Sequence, residues 1–166
     1  MKIDYRLGTE QDIDAVCTLI RQAVEEMRKQ GIEQWDDIYP AREDFEEDIA
    51  KQTLYLAYAE DALAALYVIS GECDEQYGNG QWKYDDETAY VLHRFCVSPH
   101  FQHQGIGKSV LLHVEQQIRE MGYQSVRLDT FTENPFAQRL YRHNGYEARG
   151  LAHWRKGTFD LMEKRL

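Results

Sequence analysis

The clearest chemical signal in the chain is a glycine-containing stretch, QHQGIGKSV at residues 102–110. It ends in Gly-Lys-Ser, as loops that bind nucleoside triphosphates do, and its Gly-x-Gly also opens dinucleotide-binding turns. A triphosphate loop requires another glycine where this chain has Gln102, and a dinucleotide turn requires one where it has Val110. Asp129 lies at a suitable distance for a ribose-binding acid, but it does not replace the missing glycine. The stretch therefore argues against both kinds of nucleotide site.

What remains is a Gln-x-x-Gly-x-Gly pattern between a predicted strand and a predicted helix that runs from Lys108 to Met121. Glycines let the backbone approach a ligand closely, and the first N–H groups of a helix have no internal partners. The helix dipole also favours negative charge at that end. Two interpretations stay open at this point: a cradle for a pyrophosphate, or a tight turn that binds nothing.

Two blocks of sequence resemble one family. FCVSP at 95–99, followed by the glycine pattern, resembles the acyl-CoA signature of the GNAT superfamily of N-acyltransferases. NPFAQRLYRHNGY at 134–146 resembles the later motif of the same superfamily. The matching residues of that second block are Asn134, Ala137, Leu140, Tyr141, Gly145 and Tyr146. The resemblance covers residues 90–150 by motif and the remainder by the order of strands and helices.

The resemblance implies how coenzyme A is bound. Its pyrophosphate would lie on the amides of the glycine loop, and its pantetheine arm would pair with the end of the strand before that loop. The backbone N–H of Val97 would stabilise the oxyanion of the thioester. Asn134 would bind the pantetheine besides capping a helix. The remaining cofactor-binding residues that the resemblance implies are Phe95, Cys96, Gln102, His103, Gln104, Gly105, Ile106, Gly107 and Lys108.

Acetyl transfer to an amine needs a base and a proton donor. A typical amine has a pKa of about 10, so its proton must be removed before attack. His93 is the candidate base, because on a regular strand it would share one face with Val91, Phe95 and Val97. The alternative is a histidine that only fixes the strand by hydrogen bonds. The resemblance gives Tyr141 the role of donor to the leaving thiolate, and the alternative is a tyrosine that packs the helix.

The acceptor side is predicted from aromatic residues and acids between the first two helices. Trp35 and Tyr39 lie there, and aromatic rings with acids suit a cationic amine. The alternative is that both rings only pack the connection. His100 and His103 lie three apart with no third ligand in sight, so no metal site is predicted.

Composition narrows the function further. The net charge of −10 argues against a nucleic-acid binder, and no apolar run approaches the length of a membrane span. Residues 1–88 carry 22 acids and 8 bases, whereas residues 89–166 carry 7 acids and 11 bases. That asymmetry suits a cationic acceptor and an anionic cofactor, although one solvated acidic helix at 41–51 accounts for much of it.

Three cysteines without a CxxC pair indicate reduced thiols in a cytoplasmic protein, and the first residues have no apolar segment of a signal peptide. A nucleophilic cysteine is the less favoured alternative. The resemblance also makes a homodimer an expectation, with the two final strands as the candidate interface.

The elements that position these residues follow from periodicity and from helix-ending residues. A strand at 3–7, a helix closed by Gly31, a second helix at 41–51 and a hairpin at 53–70 come first. A polar loop at 71–87 precedes a strand at 88–97. The rest is predicted as a strand at 124–131, a helix from Asn134 to Asn144, and two strands at 146–154 and 158–165.

This order predicts an α/β (α+β) fold with a mixed, mostly antiparallel central sheet flanked by helices, in a single domain over residues 1–166. The predicted function is acetyl transfer from acetyl-CoA to a primary amine of a small cationic molecule or peptide. The alternative is a non-catalytic module that binds acyl-CoA as a sensor or interaction domain.

Overall fold

The computed structural model describes all residues, 1–166, as seven strands and four helices. The strands are β1 (Ile3–Leu7), β2 (Leu54–Ala59), β3 (Ala62–Ser70), β4 (Ala89–Val97), β5 (Ser125–Phe131), β6 (Glu147–Trp154) and β7 (Gly157–Arg165). The helices are α1 (Ile13–Lys29), α2 (Arg42–Ala50), α3 (Ile106–Glu120) and α4 (Pro135–His143). The predicted order of elements is confirmed. None of the helices has both the length and the apolar character needed to cross a membrane.

The strands form one sheet in the order β1-β2-β3-β4-β5-β7-β6. The β1–β2, β2–β3, β5–β7 and β6–β7 pairs are antiparallel, and the β4–β5 pair is parallel. Helices flank the sheet, so the prediction of a mixed, mostly antiparallel sheet is confirmed. The parallel pairing of β4 with β5 is short: it covers only Ala89–Val91 against Ser125–Arg127.

The chain divides into two compact units. The first contains residues 1–69 and 94–110. Its core forms because the apolar stripe of α1, at helical spacing, is buried against β2, β3 and α2. The buried members of that core include Val16, Leu19, Ile20, Trp35, Phe45, Ile49, Leu54, Leu56, Leu66 and Cys96.

The second unit contains residues 70–93 and 111–166. Its centre is the long antiparallel pairing of β5 with β7, where Val126, Leu128 and Leu161 are buried. Both β4 and α3 contribute residues to each unit. The single domain over 1–166 stays a prediction.

The predicted polar loop before β4 is confirmed, and it has two short 3₁₀ turns at Glu75–Asn79 and Asp86–Thr88. The loop lies along β6 and is attached to it by hydrogen bonds to main-chain atoms. The side chain of Gln76 bonds both the N–H and the carbonyl of His153, Asn79 donates to the Leu151 carbonyl at 3.2 Å, and the Gln81 N–H donates to the Arg149 carbonyl at 2.7 Å. The segment therefore covers the main-chain edge of the last strand in the sheet.

Candidate functional site

The glycine loop joins β4 to α3 through a turn with two residues in the left-handed backbone region. His103 has a φ of 62° and Gly105 a φ of 78°. A side chain at position 105 would be strained by that φ, although a Cβ there would meet no atom within 4 Å. Helix α3 begins at Ile106, two residues before the predicted start at Lys108, because the turn is complete at Gly105.

The start of α3 leaves backbone donors available. The first hydrogen bond at this end runs from the Ser109 N–H to the Gly105 carbonyl at 3.1 Å. The N–H groups of Ile106, Gly107 and Lys108 therefore precede the first helical bond and have no intrahelical partner. Gly105 and Lys108 are exposed. Open space, free amides and the helix dipole together fit a diphosphate.

Strand β4 is irregular at its centre. Arg94 has a φ of 47°, which interrupts the strict alternation that would have placed Val91, His93, Phe95 and Val97 on one face. Past this point Cys96 is buried. The pairing with β5 has already ended at Val91, so the later part of β4 has no β5 partner at the residues predicted for pantetheine.

Arg94 is the centre of a polar cluster in the first unit. Its guanidinium donates two hydrogen bonds to the buried carboxylate of Asp48, at 2.8 and 2.6 Å, and one to the Tyr39 hydroxyl at 2.9 Å. Burial raises the pKa of Asp48 and Arg94 opposes that effect. The cluster ties α2 and the connection before it to the irregular point of β4.

The two predicted acceptor-side aromatics differ in environment. Tyr39 is 39 % exposed, whereas Trp35 is 9 % exposed and belongs to the core of the first unit. Tyr39 therefore has a surface that a ligand can reach. Trp35 instead packs the segment between α1 and α2 onto the core.

His93 has defined partners in the second unit. Its Nε2 lies 2.9 Å from the Glu72 carbonyl oxygen and 3.3 Å from Ser70 Oγ. A carbonyl can only accept, so Nε2 carries the proton in this contact. A base role would therefore fall to Nδ1.

Several residues of the second motif form the two ends of α4. Asn134 is the N-cap, and its side-chain oxygen accepts hydrogen bonds from the N–H groups of Phe136 and Ala137 at 3.2 and 3.1 Å. At the other end, Gly145 has a φ of 91° and the Tyr146 N–H donates to the Tyr141 carbonyl at 3.0 Å. This is a Schellman arrangement, in which the glycine permits the turn.

The ring of Tyr141 packs edge-on against Tyr146, with centroids 5.6 Å apart. The Tyr146 hydroxyl donates to the buried Glu115 at 2.9 Å, and Lys164 pairs with the same carboxylate at 2.9 Å. Tyr141 itself is buried and its hydroxyl makes no hydrogen bond within the protein. Burial, followed by the charge of Asp129, raises its pKa, so the phenol is protonated at neutral pH.

Sequence reasoning did not identify the contact between Tyr77 and Asp129. The Tyr77 hydroxyl donates to Asp129 Oδ2 at 2.7 Å. The available signal was a single acid within the apolar strand SVRLDTF. Arg94 and Asp48 were also missed, since nothing in their local pattern indicates that they pair.

The remaining candidates for chemistry are a nucleophilic thiol and a cluster of metal-ligating side chains. Burial raises the pKa of Cys96 to about 12 and also raises the pKa of Cys17 and Cys73. No group of three or more His, Cys, Asp or Glu side chains lies close enough to hold a metal ion.

Comparison with known proteins decides the family. The model of the Acetyltransferase (GNAT) family matches residues 20–146. The chain belongs to this family. It is thus an acyltransferase, and the predictions of the enzyme class and of acetyl-CoA as co-substrate are confirmed.

Individual GNAT proteins resemble the chain along nearly its whole length. The uncharacterized N-acetyltransferase YesJ of Bacillus subtilis (strain 168) is 27 % identical over 159 residues, which cover 94 % of this chain and 86 % of YesJ. A GNAT acetyltransferase structure from Streptococcus agalactiae 2603 is 25 % identical, with a TM-score of 0.87 and coverage of 99 % and 95 %. PaiA N-acetyltransferase from Thermoplasma acidophilum, solved in complex with coenzyme A, shares the fold at 18 % identity, with a TM-score of 0.73 and coverage of 100 % of each chain.

Proposed function

We propose that this GNAT enzyme transfers the acetyl group of acetyl-CoA directly to a primary amine of a small cationic molecule or peptide. The observation that carries the proposal is Tyr141, a buried phenol that is protonated at neutral pH and has no hydrogen-bond partner in the protein. Such a phenol is suited to donate a proton to a leaving thiolate.

In this proposal the backbone of residues 102–108 binds the diphosphate of coenzyme A. The unpartnered amides at the start of α3 support that role, as does the open space over Gly105. The pantetheine arm pairs with β4 at Phe95, Cys96 and Val97, and Asn134 contributes from the cap of α4. The coenzyme A bound to PaiA, which shares the fold, supports the same cofactor here.

The proposed reaction has no covalent enzyme intermediate. The neutral amine attacks the thioester carbonyl carbon, and the backbone N–H of Val97 stabilises the oxyanion. The carbon–sulfur bond then breaks, and the thiolate takes the Tyr141 proton. The amine proton leaves through His93 Nδ1. The raised pKa of all three cysteines supports direct transfer, because a thiol that stays protonated is a poor nucleophile.

The proposal also covers the acceptor, the cellular location and the oligomeric state of the enzyme. The acidic first half of the chain favours a cationic acceptor. In this proposal the exposed Tyr39 contacts that acceptor, and the buried Trp35 holds the segment between α1 and α2 on which Tyr39 lies. Three reduced cysteines favour a cytoplasmic enzyme. A homodimer would use the side-chain face of the final strands, where Leu151 is exposed, since residues 76–81 already bond the main-chain edge of β6.

An amine panel tests the proposal. Purified protein is mixed with acetyl-CoA and, in turn, a polyamine, amino acids, aminoglycosides and peptides with a free N-terminus, and the released thiol is measured. We expect amine-dependent thiol release with at least one class, together with a mass increase of one acetyl group on that amine. Tight acetyl-CoA binding without amine-dependent release would instead identify a non-catalytic acyl-CoA sensor.

A further inference from the structure

Asp129 is the only residue of β5 that is not buried. A carboxylate inside a central strand is unfavourable unless it has partners or reaches solvent. Asp129 does reach solvent, because β5 has lost its β4 partner beyond Arg127 while it still pairs with β7, where Asp129 lies opposite Leu161. The carboxylate therefore lies where one edge of β5 is no longer paired with β4.

Tyr77 orients this carboxylate. Its hydroxyl donates to Asp129 Oδ2 at 2.7 Å, across 52 positions of sequence. The Tyr77 backbone is held in turn by Trp82, whose indole donates to the Tyr77 carbonyl at 2.9 Å and whose ring stacks on the tyrosine. Arg127 lies 4.4 Å from the centre of the Trp82 ring. Tyr77 is thus fixed in place by Trp82, and its hydroxyl orients the Asp129 carboxylate.

The charge of Asp129 also acts on Tyr141. Burial is the main cause of the raised pKa of Tyr141 and of Tyr77, and the charge of Asp129 adds to it in both. Tyr141 is the group to which the proposed reaction assigns the proton for the thiolate.

A partly exposed carboxylate is complementary to an alkylammonium ion. The carboxylate accepts charge-assisted hydrogen bonds from the ammonium. The same negative charge disfavours a carboxylate or phosphate ligand. A metal ion is disfavoured as well, since no group of three ligating side chains lies here.

We infer that the Asp129 carboxylate, held by Tyr77, is the subsite that binds the protonated amine of the acceptor. The inference rests on the proposed acetyl transfer and names a residue that contacts the acceptor. It restricts the acceptor to molecules that present a primary ammonium group, rather than a hydroxyl or a neutral amide.

A purely structural use of Asp129, as the partner that anchors Tyr77, makes different predictions for two variants. Asp129→Asn removes the charge and retains an oxygen that accepts the Tyr77 hydrogen bond. Tyr77→Phe removes that hydrogen bond and retains the charge. An anchoring role makes Tyr77→Phe the more harmful change, whereas ammonium binding makes Asp129→Asn the more harmful one.

The test is calorimetric binding of three amine probes to the protein saturated with coenzyme A. The probes are 1,4-diaminobutane, alaninamide and glucosamine. We expect at least one probe to bind the wild type, with affinity lowered about tenfold or more by Asp129→Asn and less than about threefold by Tyr77→Phe. Glu87→Gln, which removes an exposed carboxylate of the same unit, is the matched control and should bind as the wild type does.

Two results would overturn the inference: no probe binds the wild type, or Asp129→Asn binds as tightly as the wild type. Binding does not require catalysis, so the two proposals can fail separately. Asp129-dependent binding of an amine without acetyl transfer would refute the proposed function alone. Transfer to an amine that Asp129→Asn leaves unchanged in both KM and affinity would refute the subsite alone.

Discussion

Tyr141 depends on its surroundings for its proposed role. Its place at the last turn of α4 follows from the Asn144-Gly145-Tyr146 end of the helix, and its protonation follows from burial and the charge of Asp129. A phenol in water already has a pKa near 10, so the protein strengthens a preference that the side chain has alone. Its local environment therefore favours the protonated form before coenzyme A leaves.

At the residue scale, Tyr141→Phe removes the proton donor and little else. The ring that packs on Tyr146 is retained, so we expect turnover to fall about tenfold to a hundredfold while the affinity for coenzyme A changes less than about twofold. Steady-state kinetics with calorimetry of coenzyme A binding checks both. Equal turnover in the two proteins would exclude the donor role.

Asp12 gives a prediction about stability and pH. Arg6 bonds its carboxylate at 2.6 and 2.8 Å, and this contact, with bonds from Thr9, lowers the pKa of Asp12 from 3.8 to about 2. A lowered pKa stabilises the fold above the unfolded value, and that stability is lost as the pH falls toward about 2. Asp12→Asn should therefore lower the free energy of unfolding by about 1–2 kcal/mol at pH 6.

The difference between the Asp12→Asn variant and the wild type should shrink as denaturant unfolding is repeated from pH 4 down to pH 2. Asp14→Asn is the control, because the Asp14 side chain is 88 % exposed and solvent screens its ion pair with Arg42, so this substitution should change stability much less. A difference for Asp12→Asn that is constant with pH would contradict the assigned cause.

At the scale of elements, the residues that the two sequence motifs single out lie at the ends of elements: the end of β4, the start of α3 and both ends of α4. Local residues predict such ends well, because Gly31, Asn134-Pro135 and Gly145 each favour one particular helix boundary. The left-handed backbone at Arg94 was not predictable, since its partner Asp48 is 46 positions away. The Tyr77–Asp129 contact was not predictable for the same reason: the two residues are 52 positions apart, and no local pattern encodes a contact across such a separation.

Gly105 allows the glycine loop to be tested against a matched position. Gly105 and Gly31 have φ values of 78° and 75°, and a Cβ at either would meet no atom within 4 Å. Alanine should therefore cost about 1 kcal/mol of stability at each position through backbone strain alone. Only Gly105→Ala should also weaken coenzyme A binding, by about tenfold, since strain there displaces the amides of the cradle.

Denaturant unfolding and calorimetry with coenzyme A measure the two effects of the Gly105 and Gly31 substitutions. Gly105→Ala binding coenzyme A as tightly as Gly31→Ala would show that the loop amides do not hold the diphosphate.

At the scale of the whole molecule, the chain has two compact units but one sheet. The periodicity of the sequence predicts strands and helices in order, but it carries no information on how contacts group into units. Because β4 and α3 run from one unit into the other, we expect the units to unfold together. Far-UV and near-UV circular dichroism should give coincident transitions, and two separate midpoints would contradict a single domain.

The central claim is direct transfer to an amine, and a single-turnover experiment tests it. Protein in excess is mixed with acetyl-CoA labelled in its acetyl group, with and without the best amine of the panel, and quenched over time. We predict label on the amine in a one-to-one ratio with released coenzyme A, no label on the protein, and intact acetyl-CoA when the amine is omitted. Label on the protein before it reaches the amine, or coenzyme A release without a labelled amine, would contradict the account.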